Sequence, residues 1–149
     1  MADSVRLDLA SYLPFLVNRV GVAIAEGFSS ERLRNEGLTI YMWRVLAVLA
    51  DTGEQRQVDL AVMTSIDAPT ISRLVTRLAN LKLVTRTRSS TSNREVGVVL
   101  TPKGAAMVRR LIPSALDWED RATTGMSPKE IAAVKRTLAK MHENLTAKG

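Results

Sequence analysis

The 149-residue chain contains no cysteine. Disulfides, thiolate metal sites and thiol redox sensing are therefore excluded. Aromatic residues make up only 4% of it and histidine occurs once, at position 142. A transition-metal site would have to be built from carboxylates almost alone, and no close cluster suggests one, so no metal or cofactor is expected. No Gly-rich phosphate loop or nucleophile motif occurs, which argues against an enzyme. No apolar run approaches the roughly 18 residues needed to cross a bilayer. The opening "MADSVRLDLA" lacks the basic and apolar regions of a secretory signal, so the expected compartment is cytoplasmic, with no membrane partner.

What is present is a chain of ordinary globular composition, 46% hydrophobic and 24% charged, long enough for one domain with a real core. Its net charge of +6 is concentrated in one place. Residues 1–53 and 111–149 are nearly balanced, whereas residues 54–110 hold ten basic side chains against four acids, the whole of the excess. That segment is built to meet something anionic.

Apolar residues recur at helical spacing from Leu7 to about Arg34, with Pro14 inside the run, which predicts a first turn and then a long helix, or one helix kinked at the proline. Gly37 stops it and Thr39 caps the next helix, "IYMWRVLAVLA", apolar on nearly every side and hence central. Two shorter helices follow. The second, "DAPTISRLVTRLANLKLV", has Asp67 as cap, Pro69 in its first turn and an apolar face of Ile71, Leu74, Val75, Leu78 and Leu81. Its opposite face shows Thr70, Arg73, Thr76, Arg77 and Asn80, the plan of a helix-turn-helix with a basic outer side.

"LVTRTR" and "EVGVVL" then read as two strands joined by a polar loop, a hairpin wing carrying Arg86, Arg88 and Arg94 near its tip among a run of hydroxyls that includes Ser89 and Ser90. Such a ribbon can enter a minor groove or run along phosphates. Thr101 and Pro102 start a long helix that Pro113 should bend, and Ser127-Pro128-Lys129-Glu130 starts the last one. In that last helix Ile131, Val134, Leu138, Met141 and Leu145 repeat at 3, 4, 3, 4 spacing, a seam meant for another helix. The expected fold is mostly α with a small β-hairpin wing. It is one domain, residues 1–149, with a winged helix-turn-helix over 37–111 and helical arms at 1–36 and 112–149. Double-stranded DNA is the expected partner, through Pro69, Thr70, Ser72, Arg73, Thr76, Arg77, Arg86, Arg88, Ser90 and Arg94. An acidic protein partner is the alternative; RNA is disfavoured by the scarcity of stacking aromatics.

The order of these segments, with "ISRLVTRLANLKLV" and the wing exit "VVLTPKG" as its most specific pieces, resembles the MarR family of bacterial winged-helix regulators over residues 7 to 146. That family's wing usually carries Asp-x-Arg before its second strand. Here Ser92-Asn93-Arg94 keeps the arginine and not the aspartate. The resemblance implies a homodimer through the first and last helices, with Leu9, Leu13, Leu16, Ile131, Val134, Leu138, Met141 and Leu145 in the interface. It also implies a palindromic DNA site, a repressor, and relief of binding by a small aromatic or anionic effector. The family places its pocket where the first, second and fifth helices meet, which here suggests Tyr12, Phe15, Arg19, Trp43, Arg44 and Met107.

Overall fold

The computed structural model describes residues 5–88 and 90–147, with Glu95 and Val96 described by their backbone alone. Six α-helices and one hairpin follow in the order α1 (Leu13–Phe28), α2 (Ile40–Thr52), α3 (Gln57–Thr64), α4 (Ala68–Asn80), β1 (Val84–Arg88), β2 (Glu95–Leu100), α5 (Pro102–Ala122) and α6 (Pro128–Thr146). This is the expected architecture, mostly helical with a two-stranded antiparallel wing.

The helix starts obey local capping chemistry. Thr39, Asp67, Thr101 and Ser127 each accept a hydrogen bond from a backbone N–H in the first turn, and Ser127 with Glu130 completes a reciprocal capping box. Pro14 also obeys the rule for first-turn prolines: it stands at the start of α1, not inside it. Residues 7–12 are consequently not helical. They form a turn in which Asp8 accepts from the Ala10 N–H and the Ser11 hydroxyl, and Leu9 is lost from the helical stripe assigned to it. Past Phe28 the chain widens into a π-helical turn, Ser29–Leu33, tightens into a 3₁₀ turn and ends on Gly37 with φ of 71°. Helix α5 continues through Pro113, which stands inside it.

Helix α2 is the centre, with Met42, Val45, Leu46 and Leu49 buried. Ile71, Val75 and Leu78 of α4, Leu60 of α3, Val98 of β2 and Leu111 of α5 pack into the same core. Leu81, the last residue of the predicted α4 stripe, caps the helix and is 38% exposed. The wing is welded to this core at its base. The strands pair from Val84↔Leu100 to Thr87↔Gly97, and Gln55 adds a third, one-residue rung against Val98. Thr101 donates its hydroxyl to the Lys82 carbonyl while capping α5, so one side chain ties the α4 exit to the α5 start.

Gly104 permits that junction, because a Cβ there would overlap the backbone carbonyl oxygen of Leu83. Alanine would gain about 1 kcal/mol of helix propensity but collide with a backbone atom that cannot swing away. We expect Gly104→Ala to lower stability by roughly 1–3 kcal/mol in urea unfolding. A stabilised variant would contradict this packing.

Candidate nucleic-acid interface

The exposed side of α4 begins at its cap. Asp67 Oδ1 accepts from the Thr70 N–H at 2.9 Å and Oδ2 from the Thr70 hydroxyl at 2.8 Å, and that hydroxyl in turn accepts from Arg73 Nη2 at 3.1 Å. The cap therefore orients the first arginine of the helix as well as the helix itself. One turn on, Thr76 donates to the Ser72 carbonyl and accepts from Arg86 Nη2 at 2.7 Å. Ser72, Arg73, Thr76, Arg77 and Asn80 surround a shallow depression of about 270 Å³ on this face. Pro69 is exposed at its leading end.

The Arg86–Thr76 bond places the wing beside the helix. Arg86 is half-buried at the root of the hairpin, not near the tip where its sequence neighbours suggested. The distal arginines behave differently. Arg88 Nη1 donates to the Asn93 carbonyl at 3.2 Å, closing the turn, and Arg94 and Ser90 are exposed in the loop. Asn93 takes a left-handed φ of 52°, a conformation asparagine tolerates better than most residues. Ser89 lies outside the described residues. Arg56, Arg110 and Arg121 are each paired with a carboxylate. Among the described residues none of Arg73, Arg77, Arg88 and Arg94 forms a salt bridge, and all four side chains are exposed.

Two further features lie away from this face. Between α1, α2 and α5 is a cavity of about 320 Å³ whose walls include Phe28, Trp43, Trp118 and Arg44. Phe28 and Trp43 meet edge to face at 5.4 Å, and Arg121 lies over the Trp118 ring at 4.7 Å. A Cβ on Gly27 would overlap that ring, so the glycine lets Trp118 close the cavity. Of the six residues assigned to a pocket from sequence, Trp43 and Arg44 line it. Tyr12 stands exposed at the start of α1, Arg19 lies over Phe15 on the same helix, and Met107 is buried with its sulfur accepting from Arg110. Phe28 and Trp118 were missed; the small residue at 27 is the one sequence signal that a ring packs there.

The second feature is an apolar groove of about 560 Å³ between α1 and α6. It brings together Leu13, Leu16, Val134, Leu138 and Met141 as assigned, and adds Val17 and Val20. Ile131 and Leu145 do not line it, and Leu145 is 84% exposed. Among the described residues no helix is long and apolar enough to cross a membrane, and no cluster of three metal-ligating side chains occurs.

A helix-turn-helix, a hairpin tied to its second helix and a flanking pair of arm helices define a winged helix-turn-helix protein. The comparisons make the assignment specific. The MarR family matches residues 36–95. A MarR-family transcriptional regulator from Silicibacter pomeroyi superposes with a TM-score of 0.85 at 29% identity, over 97% of this chain and 99% of that one. The structure of Bordetella bronchiseptica BpsR, described as regulated in its DNA binding by 6-hydroxynicotinic acid, gives 0.82 at 27% identity, over 93% and 99%. In sequence, the HTH-type transcriptional repressor NicR of Pseudomonas putida is 32% identical over 104 residues, which span 70% of this chain but just 66% of that relative. The chain belongs to the MarR family of transcriptional regulators.

The Thr70 N–H, then the Thr70 hydroxyl and the nearby Arg73 charge, hold the Asp67 carboxyl below its ordinary range. A carboxylate with a depressed folded-state pKa adds stability that is complete above its unfolded value of about 4 and is lost as pH falls through the folded one. Asp67→Asn keeps a capping oxygen but cannot titrate. Urea unfolding from pH 7 down to 3 should show the wild type losing more stability than the variant, and parallel profiles would contradict the cap's role.

Proposed function

We propose that the chain is a homodimeric, cytoplasmic transcriptional repressor that reads a palindromic double-stranded DNA site and releases it when a small aromatic, anionic effector enters the cavity between α1, α2 and α5. The observation that carries the DNA reading is the Arg86–Thr76 hydrogen bond. It joins the basic side of α4 and the wing into one surface, so a helix lying in a major groove brings Arg88 and Arg94 to the flanking backbone or minor groove.

The roles divide by position. Arg73 and Arg77, one turn apart on α4, reach base edges or phosphates, with Thr70, Ser72 and Thr76 supplying short hydrogen-bonding groups between them. Pro69 and Ser90 let backbone approach closely. The apolar groove of α1 and α6 is the dimer seam. A two-fold axis there sets two α4 helices into successive major grooves, roughly 34–36 Å apart. The effector reading rests on Arg44 at the rim of an aromatic-walled cavity, where its guanidinium lies over the Tyr41 ring at 5.5 Å. A planar ring would stack among Phe28, Trp43 and Trp118 while its carboxylate met the guanidinium. BpsR, with its regulation by 6-hydroxynicotinic acid, supports that choice of chemistry.

The decisive experiment selects binding duplexes from a random-sequence pool and measures affinity against salt on the selected and on scrambled DNA. Arg94→Ala should weaken both duplexes alike and reduce the salt slope of a dimer by about two, at roughly 0.9 per lost phosphate contact. Arg73→Ala or Arg77→Ala should instead relax discrimination at a defined base pair by about 1–3 kcal/mol. No enrichment from the pool, or an Arg94→Ala variant with unchanged affinity and slope, would refute the reading. For the effector, both tryptophans of the chain line the cavity. Titrating 6-hydroxynicotinic acid or benzoate should therefore change intrinsic fluorescence in wild type and act more weakly on Arg44→Ala; a spectrum that stays constant through both titrations would count against this chemistry.

A further inference from the structure

Glu54 is an acid in the basic stretch that has one visible use. Asp59 pairs with Arg56, and Asp67 caps α4. Glu54 sits just past Gly53, which ends α2 with a positive φ of 78°, and pairs with no cation among the described residues. A carboxylate beside bound DNA lowers affinity by repulsion. Its side chain instead runs across β2 and accepts the Thr87 hydroxyl of β1 at 2.6 Å. The crossing point is Gly97, the residue paired with Thr87, where any Cβ would overlap the Glu54 carboxyl group and its Cγ.

Position gives this strap its meaning. The wing register is regular from Val84 to Thr87 and shifts between Thr87 and Arg88. The strap grips the last regular pair, and Arg88 and Arg94 lie beyond it. Successive strand residues point to opposite faces. Arg86 binds Thr76 of α4 on one side of β1, and Thr87 binds Glu54 on the other. The root of the wing is thus held from both faces at the point where its irregular, arginine-bearing end begins.

We propose that Glu54 is a positioning residue for DNA binding: by strapping Thr87 across Gly97 it sets the angle at which the distal wing presents Arg88 and Arg94 next to α4. The proposal rests on the wing-to-DNA reading above, and the test separates the two. On the selected duplex, Glu54→Ala and Thr87→Val should each weaken binding roughly three- to tenfold, the range of one lost net hydrogen bond, and flatten the salt dependence. Glu54→Gln, which keeps an acceptor, should recover most of the loss. In an Arg88→Ala/Arg94→Ala background neither Glu54→Ala nor Thr87→Val should weaken binding further, because the group they position is gone. Thr87→Val, nearly isosteric, serves if Glu54→Ala does not fold. Binding by both variants as tight as or tighter than wild type, or a loss of equal size in the double-arginine background, would overturn the strap. If the double-arginine variant itself binds like wild type, the wing reading falls and the strap with it; if that variant weakens while Glu54→Ala and Thr87→Val do not, only the strap falls.

Discussion

Helix α6 buries none of its side chains and α1 buries only Phe28, and this uncovered apolar surface constrains everything else about the molecule. Val134 and Leu138 are each 44% exposed and Val20 is 57% exposed, along a groove with almost no polar lining. Removing such side chains from water is worth about 1.5–3 kcal/mol apiece when complete. The core around α2 has no capacity to take them, since it is already closed by α3, α4, α5 and the base of the wing. In the proposed dimer a second chain covers the stripe, and the symmetry of that cover then decides what kind of DNA can be read. A two-fold seam imposes an inverted repeat, because two identical α4 helices must meet two identical half-sites.

The arm joins the DNA-reading module through the continuous helix α5 and through Phe28 and Leu33, which are buried in the core around α2; exposed ion pairs add little to that packing. Glu31–Arg121 and Glu36–Arg110 join the turns after α1 to α5, and both pairs are substantially exposed. Exposed pairs of this kind contribute about 0–1 kcal/mol. The chain between α1 and α2 passes through a π-helical turn, a form often found where helices serve function. An aromatic cavity lies across the same junction, walled by α1, α2 and α5. In the proposed effector response, differential contacts there would shift the spacing of the two reading heads of the proposed dimer and so alter affinity for DNA at a distance.

Local chemistry was legible in the sequence and long-range chemistry was not. The caps at Thr39, Asp67, Thr101 and Ser127, the two strands and the α4 stripe through Ile71, Val75 and Leu78 all follow from neighbours a few residues apart. At Pro14 the first of the two expected arrangements holds, a turn and then a long helix from Leu13, and only Leu9 falls outside the helical stripe. The contacts hidden from a linear reading join distant positions. Arg86 reaches back ten residues to Thr76, and Thr87 reaches back thirty-three to Glu54. Trp118 comes from the far end of α5 to close a cavity that, of the six residues assigned from sequence, Trp43 and Arg44 line and Tyr12, Phe15, Arg19 and Met107 do not. Spacing shows which face of a helix is apolar, but not which distant ring or carboxylate meets it.

In the proposed dimer the arm seam turns a weak reader of one half-site into a strong reader of two. This is tested most directly by the ratio of affinities for a full inverted repeat and for a single half-site, measured on wild type and on Leu138→Glu. The charge is placed on the groove, away from the core, so the variant should keep its folded winged module and sediment as a monomer. Wild type should show a large ratio that collapses toward one in the variant, with half-site affinity unchanged. A variant that is monomeric yet still prefers the inverted repeat as strongly as wild type would contradict it.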